Sequence, residues 1–258
     1  MKNTKRGTPN FEILMSTTNN SRLEIDQYDY TIINQILDKR IQKIDAKNVW
    51  TYYQKGVTKS KNKALKHANG EICLLSDDDV IFKPNIDKKI LKAFKNNPKA
   101  DIITFQIETP EGEPFKNYDK EKHWHDIKSV MKVSMVEIAF RRKVIIDNEL
   151  GFDESFGLGT NFPTGSEFIF LTDALKKGLN ILYIPEVIVV HPKESSGQVW
   201  DAKLIQTRGA MLYRVFGWKA VGWVAIFTLK QHSLSNFSMI TFFYHMLIGI
   251  KNYINKTE

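Results

Sequence analysis

Three consecutive aspartates, Asp77, Asp78 and Asp79, follow the apolar stretch Ile72–Leu75, and the lysines Lys59, Lys61 and Lys63 lie shortly before it. A strand alternates its faces with period two, so an extended chain projects Asp77 and Asp79 to one side and Asp78 to the other. Two carboxylates on one side of a strand end repel each other unless a cation lies between them. A hard divalent ion, Mg2+ or Mn2+, is held this way by one or two carboxylates, with substrate phosphates completing its shell. The lysines fall in the first turn of an expected helix, which is already electropositive and disfavours them. Free amides, helix dipole and lysines together make an anion site, and a bound diphosphate would turn that cost into binding. The pattern suits metal-assisted handling of a diphosphate.

Two further residues join this set. Glu167 is a lone carboxylate opening an amphipathic stretch, suited to general-base work, although Thr164-Gly165-Ser166-Glu167 also matches the S/T-x-x-E capping box that would occupy it structurally. His191 closes the apolar run Ile188–Val190 at an expected strand end, and an imidazole ligand there would favour Mn2+ over Mg2+. His123-Trp124-His125 has no third ligand at useful spacing and reads as a surface or acceptor-facing loop.

The elements that must position these groups follow from periodicity. Strands are expected at Phe11–Ser16, Tyr30–Ile33, Val49–Tyr53, Ile72–Leu75, Asp101–Glu108, Val133–Phe140, Ile181–Ile184 and Val187–Val190. Helices are expected after Thr58 or Ser60 as cap, from Asn85 to about Phe94 behind Pro84, and over Ser166–Lys177 before Gly178. Alternating strands and helices imply an α/β sheet covered by helices. Lys193–Gly197 is small and polar, with Ser195–Gly197 a candidate lid over bound donor. Beyond it, Ala210–Leu229 and Phe237–Tyr253 are two apolar, aromatic helical stretches carrying Arg208, Arg214, Lys219 and Lys230 among them. The expected division is 1–200 as one domain and 201–258 as a helical extension that packs on it or on a membrane surface.

The formal net charge of +8 over 258 residues favours anionic partners. Nine Lys or Arg residues lie between Lys39 and Lys66, mostly as a solvated surface. A single cysteine, Cys73, excludes an internal disulfide framework and points to a reducing compartment. No secretory signal or spanning segment is evident, so the expectation is cytoplasmic, with peripheral contact at the inner face of the membrane through the basic aromatic helices.

The segment GVTKSKNKALKHANGEICLLSDDDV resembles the glycosyltransferase family 2 pattern, in which a G-x-[ST]-x-[AS]-[RK]-N helix precedes a D-x-D motif. STTNN is similar to the P-T-x-N turn after strand one, and FDESFGLGTNFPTGSEFIFLTDALKKG to the F-D-E-x-F-G-x-G…G-E-[ED] acceptor-side segment. The likeness runs from about Phe11 to Trp200 and is nearest to bacterial capsule and surface-polysaccharide enzymes. It implies a GT-A fold, a mixed sheet that binds nucleotide sugar, and inverting transfer from a nucleotide diphosphate sugar to a saccharide or lipid-linked acceptor. It further implies that Asp79 and His191 ligate Mn2+ or Mg2+. Asp77 and Asp78 would hold the donor, Thr17 and Asn19 line the nucleoside pocket, and Lys61 and Asn62 face the base or diphosphate. Glu167 would be the base, with Asp153 and Glu154 ordering the loop. Ser166 departs from the family's usual pair of acids, which leaves a catalytically silent partner subunit as an alternative. A sugar nucleotidyltransferase would want a glycine-rich loop where STTNN stands. A basic module without enzymatic activity, binding RNA or membrane, would leave the aspartates purposeless, and no nucleic acid is expected as partner.

Overall fold

The computed structural model describes residues 10–192 and 200–257, so the candidate lid Ser195–Gly197 lies outside the described residues. In chain order the strands are β1 (Phe11–Thr18), β2 (Tyr30–Gln35), β3 (Val49–Tyr52), β4 (Ile72–Asp77), β5 (Ile81–Phe82), β6 (Ile102–Glu108), β7 (His123–Trp124), β8 (Ile138–Arg141) and β9 (Ile181–Val190). The helices are α1 (Val57–His67), α2 (Ile86–Asn96), α3 (Arg142–Asp147), α4 (Ser166–Lys176), α5 (Ala202–Phe216), α6 (Ala220–Gln231) and α7 (Met239–Thr257).

The strands form one mixed sheet in the order β3-β2-β1-β4-β8-β6-β9-β5, with β7 also paired to β9. β1 to β4 are mutually parallel, and β8 runs antiparallel between β4 and β6. Because β6 and β9 are parallel, β1, β4, β6 and β9 all end at one rim. Ile13, Leu14 and Met15 are all buried, so β1 is apolar on both faces as a central covered strand must be. Each such side chain contributes about 1.5–3 kcal/mol on full burial.

Local chemistry moves several boundaries. The expected strand Val133–Phe140 begins only at Ile138, because Ser134 and Glu137 form a true capping box around a 3-10 turn. The strands on either side of Pro185 are one continuous strand, irregular opposite Gln106. Neither Thr58 nor Ser60 caps α1: Gly56 holds that position, and the Thr58 hydroxyl donates to the carbonyl of Phe156.

The first C-terminal stretch is two helices, since Gly217 at φ +57° breaks the α5 geometry. Asp201 caps α5 by accepting from the Leu204 amide at 2.7 Å. The α5 and α7 backbones cross in near contact. A Cβ on Gly209 would lie 2.0 Å from the Met246 carbonyl oxygen, and one on Gly249 1.8 Å from that of Gln206. Arg214 ties α5 to the body of the molecule through Asp153 at 2.8 Å and Asp173 of α4 at 2.7 Å. Met211, Phe242 and Met246 join the cluster that holds Phe156 and Phe168, so these helices share the main core. Among the described residues no helix is long and apolar enough to cross a membrane.

Candidate active site

The rim where β1, β4 and β9 end opens into two adjoining clefts. The larger, about 470 Å3, runs between Asp77, Asp79 and His191 on one side and Thr164–Phe168 and Arg208 on the other. The smaller, about 330 Å3, is lined by Ser16–Thr18, Gln35, Leu37, Lys55 and Asp77–Asp79. They share Val57, Asp77, Asp79 and Leu158, so the aspartates stand at the junction. Both volumes lie in the range of small-molecule sites.

β4 stops at Asp77, and Asp78-Asp79 turn rather than continuing extended. The turn still brings Asp77 and Asp79 to the same cleft, while each aspartate meets a different partner. Asp78 accepts from the Thr17 hydroxyl, which locks the end of β1 to the triplet. Asp77 accepts from the buried Lys61 ammonium at 3.0 Å. Asp79 faces His191, with Oδ1 3.3 Å from Nε2. The His191 contact holds the Asp79 carboxyl below the usual carboxylate range, and Asp79 in turn raises the imidazole above its ordinary value. Phe115 sets its ring edge to face against His191, with centroids 5.7 Å apart.

Glu167 lies in the first turn of α4, across the larger cleft. Its sequence match to a capping box is not realised: Gly165 occupies the cap position, no side chain caps the helix, and the Thr164 hydroxyl is buried without a partner. Glu167 instead accepts from the Ser166 hydroxyl at 3.0 Å and lines the cleft. Gly165 sits at φ +93°, and a Cβ there would lie 2.7 Å from Met211 Sδ, so glycine permits both the turn and the approach of α5.

Thr17, Asp77, Asp78, Asp79, Glu167 and His191 therefore gather around the two clefts, and three expected residues do not. Asn19 spends its side-chain oxygen on the Leu37 amide at 2.9 Å, bracing a turn in which its own φ is +51°. Asn62 pairs with both backbone groups of Phe152, at 2.9 and 2.7 Å, and reaches Glu154 at 3.1 Å. It clamps the 152–154 loop, which engages both ends of its side chain. Lys61 is enclosed below the rim, donating to the Ser76 carbonyl as well as to Asp77. The expected loop-ordering residues behave as such: Asp153 holds Arg214 and the Ser155 amide, and Glu154 holds Asn62.

Sequence reasoning missed Ser16, Gln35 and Arg208. Ser16 Oγ and Gln35 Oε1 are buried without partners in the smaller cleft, and Arg208 Nε is likewise unpartnered in the wall of the larger. Each sits within an apolar or amphipathic run whose period gives no sign that one polar group is turned into a cavity.

Among the described residues no three His, Cys, Asp or Glu side chains gather for a metal ion. The pair Asp79–His191 still fits a two-donor site. Cis ligands about 2.1 Å from one ion stand about 3 Å apart, close to the separation found here. A carboxylate with an imidazole suits Mn2+ or another first-row divalent ion, with the remaining positions left for phosphate and water.

The sequence pattern of "Glycosyl transferase family 2" matches residues 29–179, more than half of the chain. No curated protein sequence matches significantly. Similar solved structures include S. aureus TarS, with TM-score 0.54 and 14% identity over 88% of this chain, of which the chain spans only 44%. TarS 1-349 in complex with UDP-GlcNAc gives TM-score 0.56 and 14% identity, over 88% of this chain and 73% of that one. The same fragment in complex with UDP gives 0.52 and 14%, over 86% and 71%. At this identity the likeness establishes a common fold.

Proposed function

Because the chain belongs to glycosyltransferase family 2 and has the GT-A fold, we propose that it moves a sugar from a UDP-sugar to a saccharide or lipid-linked saccharide of surface-polysaccharide synthesis, with inversion at the anomeric carbon. The observation that carries this reading is that Asp79, His191 and Glu167 line one and the same cleft. The choice of uridine is supported by the similar structures, which hold UDP-GlcNAc and UDP.

The smaller cleft would take the nucleoside, with Ser16 Oγ and Gln35 Oε1 meeting the polar edge that their burial without partners calls for. The diphosphate then lies at the junction, near Lys55 and the open N-terminus of α1. Asp79 and His191 would hold Mn2+ or Mg2+ there. When bound, the ion supplies Lewis-acid stabilisation of charge on the departing diphosphate. Lys61 holds Asp77 in place from below. The donor sugar projects into the larger cleft, facing Glu167. Glu167 accepts the proton of the acceptor hydroxyl as that oxygen bonds to the anomeric carbon, and the bond from that carbon to the diphosphate breaks on the opposite face. The proton passes from Glu167 to solvent and UDP leaves.

Peripheral membrane contact belongs to the same reading, supported by Trp218 at 73% and Ile240 at 81% exposure and by the exposed Lys219 and Lys230 of the same C-terminal segment. The test of the central reading is turnover of UDP-sugars with Mn2+ or Mg2+. Asp79→Ala should abolish turnover while leaving the melting transition in place. Undiminished turnover by a folded Asp79→Ala protein would reject it.

A further inference from the structure

Arg208 projects from α5 into the wall of the larger cleft with its guanidinium in no ion pair. Among the described residues no carboxylate stands at ion-pair distance from it, its Nη1 reaches only Met211 Sδ at 3.8 Å, and its Nε is buried without a partner. The Nε donor is buried without an acceptor, and such donors are rare in a folded protein. Two more open donors line the same wall. The Thr164 hydroxyl is buried and unpartnered, and the N-terminus of α4 has no side-chain cap. Helix N-termini attract anions through their free amides and dipole, and a guanidinium adds a fork that matches carboxylate or phosphate oxygens.

The position within the cleft says whose anion this is. Arg208 and Thr164 line only the larger cleft and lie outside the junction formed by Val57, Asp77, Asp79 and Leu158. The carboxylate whose field reaches Arg208 is Glu167. An anion held here therefore belongs to the molecule over Glu167, on the acceptor side, and not to the donor diphosphate. We propose that Arg208, Thr164 and the first turn of α4 form a subsite for an anionic group of the acceptor, a phosphate ester or a carboxylate, close to the hydroxyl that Glu167 deprotonates. The proposal rests on the glycosyltransferase reading of the cleft and deepens it: the acceptor carries a negative charge.

Calorimetric titration of the full chain tests this in the presence of saturating UDP and Mn2+, with glycerol 3-phosphate, glucuronate and neutral glycerol as probes. The wild type should bind at least one of the two anions and not glycerol, and which anion binds distinguishes phosphate from carboxylate. Arg208→Met should weaken that binding by roughly tenfold or more while UDP affinity stays unchanged. Removal of this charge should leave the folded protein intact, since the guanidinium makes no ion pair within it. Thr164→Val leaves that charge in place and should weaken the anion too, so it carries the test if Arg208→Met fails to fold. Wild-type protein indifferent to both anions, or anion binding unchanged in both variants, would overturn the subsite. Loss of UDP affinity in Arg208→Met would assign the arginine to the donor and also overturn it. Failure of the wild type to bind UDP would instead strike the donor reading, since the anion titrations can be repeated without nucleotide.

Discussion

The ammonium of Lys61 is wholly enclosed and donates to Asp77 Oδ1 at 3.0 Å, so the first aspartate of the triplet carries an internal counter-cation. Asp79, by contrast, shares its charge with an imidazole at the mouth of the cleft. Two carboxylates that look equivalent in sequence thus have different partners, one held by an enclosed lysine and one set against an imidazole in the cleft.

Lys61→Met should accordingly be a stability variant. It leaves the Ser76 carbonyl without its donor and Asp77 without its cation, at a cost of about 1–3 kcal/mol. Chemical denaturation reads that loss, while UDP affinity of the folded fraction should change little. A tenfold drop in affinity at full stability would place the ammonium on the ligand after all.

Divalent-ion binding should depend on pH in one direction. Asp79 raises the imidazole of His191 above its ordinary value, and a metal can bind that nitrogen only after the proton leaves. Apparent Mn2+ affinity should therefore fall by about tenfold per pH unit below the raised value and level off above it. His191→Ala should flatten this profile and weaken Mn2+ overall. Electron paramagnetic resonance of free Mn2+ measures both.

Glu167 is freed from helix capping, and its loss should appear in chemistry alone. Glu167→Gln is expected to bind UDP and Mn2+ normally and to lose transfer by roughly 10²- to 10⁴-fold. Single-turnover kinetics separate the two. Transfer at the wild-type rate would remove Glu167 from the mechanism.

His125 should shape the acid limit of stability. It lies between the hydroxyls of Thr104, at 2.7 Å, and Ser129, at 2.9 Å, and burial pushes its pKa down to about 4. The unfolded chain, with an ordinary imidazole near 6.5, takes up the proton first. The contribution is therefore complete above about pH 6.5 and is lost as pH falls toward about 4, by up to about 3 kcal/mol. His125→Gln should flatten the melting temperature between those limits. An equally steep fall in the variant would point to another group.

The aromatic C-terminal surface should engage anionic bilayers. Flotation is expected with phosphatidylglycerol vesicles and not with phosphatidylcholine alone, and it should weaken in salt. Trp218→Ser with Ile240→Ser should reduce it without altering turnover of soluble substrates. Equal flotation by the double variant would reject this surface as the contact.

What the chain settles by itself is whatever depends on local period and on side-chain type. The apolar runs of β1 and β4 announce a covered parallel sheet, and the alternation with helices announces its class. The acidic triplet, placed after a strand, announces a charged rim where that strand ends. Those signals survive because each is written within a few neighbouring residues. What the fold alone decides depends on residues far apart in sequence. The S/T-x-x-E pattern occurs at Ser134–Glu137 and at Thr164–Glu167, and only the first closes as a capping box. The difference is that Gly165 takes the cap position of α4, in contact with α5, which leaves Glu167 to the cleft. Asn62 turns to a loop 90 residues away, and Lys61 beneath Asp77, because α1 packs between that loop and the end of β4. Arg208 becomes part of the site only because Gly209 and Gly249 let α5 and α7 cross closely enough to seat α5 against α4. No local pattern encodes such an approach, since it is set by steric fit between surfaces that meet only after the chain has folded.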